Sequence, residues 1–414
     1  MKNNFFVNNR NKLGKIMKAD SIAVFFAGRA PYKSADDMYA FTPNRNFYYL
    51  SGIEEEKVIL MMWKLGDKLS ECLFIEERDE VMAKWVGETI SVEQAESNSG
   101  IDDIRYLKDF NGDLGSLMNI YGIEDIYLDL ERQEVDIPAS KSQEFANTML
   151  SKYPYVKINN VYKDIAKLRT IKCKEEVDII RDAIDITYEG IKSIWKNAIP
   201  GMMEYEIEAY FNFELNKRGI KEFAFDTIAA SGKNATVLHY SSNNTKTQDN
   251  ELMLLDLGAQ YQLYNADISR TFPLNGKFTE RQKQVYNIVL KANEEVMKAV
   301  KPGVTLMELQ NLCKSILAEG CKSIGLIKED SELSKYYFHG VSHPLGLDTH
   351  DVGSRGMKLE AGMIITDEPG LYIEEEGIGI RIEDDILVTE NGYENLSQSI
   401  IKSVEDIESF MSNN

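Results

Sequence analysis

The chain has 414 residues, 43% hydrophobic and 28% charged, and at about 150 residues per domain it has room for two or three domains with cores of their own. No apolar run exceeds six residues, which excludes a transmembrane helix, and the first twenty residues, broken by Asn and Lys, supply no secretory apolar core. Forty-seven basic against sixty-seven acidic side chains leave a net charge of −20, so neither nucleic acid nor an anionic membrane is an expected partner, and the expected location is cytoplasmic.

Between about Asp20 and Asn160, short runs (SIAVFFAG, KVILMMW, ECLFIEE, DIYLDL) predict strands, alternating with polar or helical stretches such as SVEQAESNSG and SQEFANTMLSKY. This is an α/β domain, assigned to residues 1–160. Trp85, in AKWVGET, reads as a core residue ahead of an interface or cleft residue. From Val161 to Trp195 the period changes: Val177, Ile180, Ile184, Ile191 and Trp195 define one face of a long amphipathic helix ending before Pro200-Gly201. A second helix (EYEIEAYFNFELNKR) closes at Gly219. About a hundred residues on, ERQKQVYNIVLKANEEVMKAV runs into Pro302-Gly303, and a helix capped by Thr305 and Glu308 leads to Gly320. Residues 161–414 therefore read either as a duplicated α/β unit or as ordinary helix punctuation. Cys72, Cys173, Cys313 and Cys321 form no C-x-x-C pair and read as free thiols.

Between the two helical units, LMLLDLGAQYQLYNADISRTF reads as a β-hairpin. A two-residue turn at Tyr261-Gln262 would set Asp256 directly opposite Asp267, with Cβ atoms about 5 Å apart. Carboxylates that close need a proton or a cation between them, unless they are exposed edge charges. Three of the four histidines, His339, His343 and His350, fall within twelve residues, and the fourth is His239. His339 and His343 match the spacing of a helical zinc pair, but Gly340, Pro344 and Gly346 oppose a helix, which makes this a loop or strand site. In GIGIRIEDDI the isoleucines 378, 380 and 382 alternate with Gly379, Arg381 and Glu383, so Arg381 and Glu383 share a strand face. The plain alternative for that pair is a surface ion pair. Ser342 lies in G-V-S-H-P, outside the G-x-S-x-G pattern of serine hydrolases, and no phosphate-binding loop is present.

With FTPNRNFYYLSG near residue 41, LHYSSN at 238, HGVSHPLGLDTHDVG, EPGLY and GIGIRIEDDI, the chain closely resembles the pita-bread metallopeptidases, the family of aminopeptidase P, prolidase and methionine aminopeptidase. The aminopeptidase P branch is the nearest. The resemblance implies an N-terminal domain of that branch over 1–160 and a pita-bread catalytic domain over 161–414. It places five metal ligands on Asp256, Asp267, His343, Glu368 and Glu383, with Glu368 as proton relay, His350 on the scissile side, His239 and His339 in the outer shell, and Arg381 and Tyr372 in support. It further implies peptides with proline second as substrates, cut by a metal-bridging hydroxide, and a homodimer built with the N-terminal domain. Prolidase activity on Xaa-Pro dipeptides and a non-catalytic binding protein are the alternatives. The residue chemistry agrees: four carboxylates and one imidazole form an oxygen-dominated set of formal charge −4 suited to two divalent ions such as Mn²⁺. Two departures from the commoner family strings stand out. Asp367 precedes Glu368 and, on a strand, should point to the opposite face; Pro344 follows the ligand histidine where a larger residue is common.

Overall fold

The computed structural model describes residues 3–354 and 356–413. The chain divides into two compact units at Arg169/Thr170, beyond the 160/161 boundary read from the sequence, because Tyr162–Thr170 forms its own helix. The first unit is a six-stranded mixed sheet: Ser21–Phe26 (β1), Ile59–Leu65 (β2), Lys68–Ile75 (β3), Ile104–Tyr106 (β4), Asp125–Leu128 (β5) and Lys157–Asn160 (β6), in the order β4-β3-β2-β1-β5-β6. The β1–β2 and β2–β3 pairs are antiparallel and the others parallel. One face buries Ile22, Val24, Met61 and Phe74 against Phe110, Leu114, Leu117 and Met118 of the helix Phe110–Ile120.

The first residues form a helix, Asn3–Ile16 (α1), capable of helical structure despite its asparagines because Phe6, Leu13 and Met17 are buried beneath it. Trp85 is not a core residue: it lies on the short helix Glu80–Val86 (α2) and is 80% exposed, as are its neighbours Val81 and Val86 at 65% and 77%. No helix among the described residues is long and apolar enough to cross a membrane.

The second unit repeats one plan. Helices Lys174–Asn197 (α3) and Glu204–Asn216 (α4) precede a sheet of Ile228–Ser231 (β7), Leu252–Leu257 (β8) and Ile268–Pro273 (β11), ordered β11-β8-β7. Between β8 and β11, Gln260–Tyr261 (β9) and Tyr264–Asn265 (β10) extend the hairpin. Helices Glu280–Ala299 (α5) and Leu306–Ser323 (α6) then precede Ile364–Asp367 (β12), Gly370–Ile373 (β13), Ile378–Arg381 (β14), Asp384–Thr389 (β15) and Gly392–Asn395 (β16). Here the sheet order is β12-β15-β16, with β13–β14 a separate hairpin.

The long helix expected from Val161 is two helices, broken at 171–173, where Lys172 leaves the helical path to bond the Gly362 carbonyl. Gly320 does not end α6. It lies inside that helix, where a Cβ would meet Ile288 of α5 at 2.5 Å, just as a Cβ on Gly190 of α3 would meet Phe211 of α4 at 2.2 Å. Each helix pair therefore packs closely at a glycine.

Candidate metal centre and active site

The hairpin carrying the two aspartates turns one residue later than expected. Gln262 and Leu263 are its corner, both with positive φ, the geometry of a two-residue turn whose twist suits the flanking strands. The register is therefore Asp256 opposite Ser269, with Leu257 opposite Ile268. Asp256 and Asp267 are diagonal rather than directly opposed. The slip moves the partner by two residues, which preserves the face, so both carboxylates still serve one site. Asp267 donates its backbone N–H to Asp385 Oδ2 at 3.2 Å instead of continuing the ladder.

His343 lies in an irregular loop. Its Nδ1 donates to the Pro344 carbonyl at 3.0 Å, and a carbonyl can only accept. Nε2 therefore presents its lone pair, 3.4 Å from Asp267 Oδ2 and 3.6 Å from Glu368 Oε1. Asp267, His343 and Glu383 offer ligand atoms within 4.8 Å of one another. Asp256 Oδ1 is buried without a hydrogen-bond partner. Acceptors face acceptors here, an arrangement that needs a cation or extra protons.

The electrostatics carry the same message. Burial, then Asp256, Asp385 and Glu368, hold the Asp267 carboxyl well above the usual carboxylate range, with Arg381 opposing. Burial, then Asp267, Glu368 and Asp256, do the same to Glu383. Glu368 is pushed up to about 7, chiefly by burial, with Asp256 adding and His343 and Arg381 opposing.

Arg381 and Glu383 are buried and share a face, each bonding Ser269 Oγ at 2.8 Å, so neither belongs to a surface ion pair. Arg381 also donates to Asp256 Oδ2 at 2.5 Å and to the Tyr372 hydroxyl at 3.0 Å. That hydroxyl in turn lies 2.9 Å from His339 Nε2. His339 Nδ1 donates to the Gly340 carbonyl at 2.8 Å, so Nε2 accepts from Tyr372 and one chain of bonds runs from Asp256 to His339. Burial and the Arg381 charge lower His339 to about 4, and it stays neutral near pH 7.

His350 packs edge-on against His343 with ring centres 4.3 Å apart, and His239 is close enough for its charge to depress both His339 and His350. His239 and His350 are exposed, the open side of the cluster. Asp367 points away: it pairs with Asp384 across β12 and β15, and Asn293 of α5 bonds its carbonyl at 3.1 Å. Pro344 is half-buried beside Gly353, whose Cβ would meet it at 2.8 Å.

Several supporting residues gave no sequence signal strong enough to single them out. The fully buried Glu204 accepts from Ser231, Asn234, Tyr240 and the Thr245 amide, fixing the loop that carries His239. Gln310 of α6 bonds the His339 carbonyl and accepts from the Val341 amide at 2.6 Å. An acidic residue in a helix's first turn is ordinary, and nothing local marks Glu204 as a hub. Ser269 was readable, two residues beyond Asp267 on the same face.

Fold and site together define a metallohydrolase of the pita-bread class. The chain belongs to metallopeptidase family M24, whose model matches residues 178–390, and residues 6–127 match the aminopeptidase P N-terminal domain. It is 33% identical, over 98% of this chain and 97% of the other, to the Xaa-Pro aminopeptidase of Escherichia coli strain K12. A candidate aminopeptidase P from Bacillus anthracis, 54% identical, matches with a TM-score of 0.99 over 100% of this chain and 99% of that one. The structure of E. coli aminopeptidase P with the inhibitor Pro-Leu, 32% identical, matches at 0.92 over the same shares.

Proposed function

We propose that this chain is a Xaa-Pro aminopeptidase, releasing the N-terminal residue from peptides whose second residue is proline, with two Mn²⁺ ions held by Asp256, Asp267, His343, Glu368 and Glu383. The observation that carries this reading is the convergence of buried acceptors on one point: the ligand atoms of Asp267, His343 and Glu383 within 4.8 Å, beside an unpartnered oxygen of Asp256. Divalent ions there would polarise the scissile carbonyl and supply a hydroxide nucleophile at neutral pH. The bond to proline carries no N–H, and carbonyl polarisation does not require one.

The chain's own residues divide the remaining work. Glu368, facing His343 from the loop between β12 and β13, takes the proton of the nucleophile and passes it toward the proline nitrogen. His350 donates to the oxygen on which charge develops, and His239 and His339 support it. Arg381 holds Asp256 in place. The name of the E. coli relative supports the substrate class.

A homodimer and a cytoplasmic setting complete the reading. Exposed Val81, Met82, Trp85 and Val86 on α2 support the first, and four free thiols the second. The functional test is hydrolysis of Xaa-Pro peptides of increasing length. Release of the first residue from tripeptides and longer peptides is expected. Activity confined to the dipeptide would make the chain a dipeptidase, and none at any length would leave a pita-bread binding protein.

A further inference from the structure

The loop that carries His343 and His350 is anchored from beneath by an ion pair that none of the assignments above uses. Lys172 Nζ lies 2.8 Å from Asp351 Oδ2, and both side chains are 1% exposed. Lys172 lies in the break between the helices Tyr162–Thr170 and α3, and its own backbone N–H donates to the Gly362 carbonyl at 2.8 Å, so the cation is presented from a fixed point. Space for the pair is made by Gly346, where a Cβ would meet Asp351 Oδ2 at 2.3 Å and Lys172 Cε at 2.9 Å.

The backbone of Asp351 then reaches the histidine. Asp351 N–H donates to the Pro344 carbonyl at 2.9 Å, and the same carbonyl accepts His343 Nδ1–H at 3.0 Å. One oxygen thus receives both the loop's closing bond and the proton that fixes the His343 tautomer. His350, the residue before Asp351, is held against His343 by the same closure. A metal-binding imidazole depends on what its other nitrogen donates to, because that bond sets which nitrogen is free and where it points.

We infer that the buried Lys172–Asp351 pair is the positioning device for the His343–His350 loop, presenting Nε2 of His343 as a ready-made ligand before any ion arrives. The inference rests on the metal-centre reading of the preceding subsection. Lys172 and Asp351 touch neither substrate nor the reacting atoms and act only through the loop.

The test uses the full-length protein stripped of metal, titrated calorimetrically with Mn²⁺, for the parent, Asp351→Asn and the double variant Lys172→Met/Asp351→Leu. Replacing both members of a buried pair by apolar residues of similar size is often neutral for folding, so the double variant separates positioning from stability. We expect its metal-free Tm within about 4 °C of the parent. Its Mn²⁺ affinity should be about 10–100-fold weaker, with Asp351→Asn shifted the same way. The ¹⁵N shifts of the four imidazoles in the metal-free protein should show His343 as the Nδ1–H tautomer in the parent and as a mixture in the double variant. Unchanged affinity and tautomer in variants of a parent that binds Mn²⁺ would overturn the inference alone. Weaker affinity with the tautomer intact would overturn it too, by assigning the pair to general folding. A parent that binds no divalent ion would overturn the metal centre and this inference with it.

Discussion

One guanidinium nitrogen of Arg381 lies 2.5 Å from Oδ2 of Asp256, while the other oxygen of that carboxylate is buried with no donor. The guanidinium is shared three ways, with Ser269 Oγ and the Tyr372 hydroxyl as its other acceptors. A lysine places one nitrogen and cannot span all three. Arg381→Lys should lower kcat/KM by about 10–100-fold and weaken Mn²⁺ binding, measured by steady-state kinetics across a metal titration. Full activity at saturating metal would reduce Arg381 to a structural residue.

Tyr372 links that guanidinium to His339, accepting from one and donating to the other. Tyr372→Phe leaves a buried Arg381 N–H without an acceptor, a cost of about 1–3 kcal/mol. It also frees the His339 ring to reorient. Thermal melts should show the loss of stability. The pH profile should gain no histidine-dependent limb, since burial and the Arg381 charge, which lower His339 to about 4, both remain in the variant.

Metal binding should release protons. In the metal-free protein Glu368 is pushed up to about 7, chiefly by burial, and Asp267 and Glu383 stand well above the usual carboxylate range. Ions bind the deprotonated forms, so apparent Mn²⁺ affinity must fall as pH drops through about 7 and rise above it. Calorimetry in two buffers of different ionisation enthalpy counts the protons. Affinity independent of pH between about 5.5 and 8 would contradict protonated carboxylates at this centre.

Gly379 lets the loop before His239 lie directly on β14. A Cβ there would meet the Ala235 carbonyl oxygen at 2.0 Å and its carbon at 2.3 Å, backbone atoms that cannot move aside as a side-chain tip can. Gly379→Ala should therefore cost about 1–3 kcal/mol and lower Tm, with activity falling because Arg381 sits on the same strand. A variant as stable as the parent would show that this contact is loose.

Trp85 gives the opposite expectation. At 80% exposure its replacement by Ala should alter stability by no more than about 0.5 kcal/mol, far below the loss for a buried Trp. Light scattering on Trp85→Ala should show a shift from dimer toward monomer. An unchanged mass would remove α2 from the proposed interface.

How much of this was legible in the sequence depended on whether the signal was local. Strand alternation at Ile378–Glu383 was readable because both faces are set by backbone period. The paired aspartates were readable for the same reason, and a turn misplaced by one residue at Gln262 changed their partner without changing their face. The break at 171–173 was hidden because no Pro or Gly marks it, and the partners of Lys172 there, the Gly362 carbonyl and the Asp351 carboxylate 179 residues away, are remote in sequence. Glu204 and Gln310 were hidden likewise, their partners set by tertiary packing rather than neighbouring sequence. Trp85 was misread because large apolar residues are usually buried, while its helix is too short to cover itself.

The most direct measurement is Xaa-Pro tripeptide cleavage by the protein before and after dialysis against a chelator, followed by stepwise return of Mn²⁺. The expected result is loss of N-terminal residue release on chelation and its recovery on metal addition, saturating at two ions per chain. Cleavage that survives complete metal removal, or none at any metal concentration, would contradict the assignment of Asp256, Asp267, His343, Glu368 and Glu383 as a catalytic metal centre.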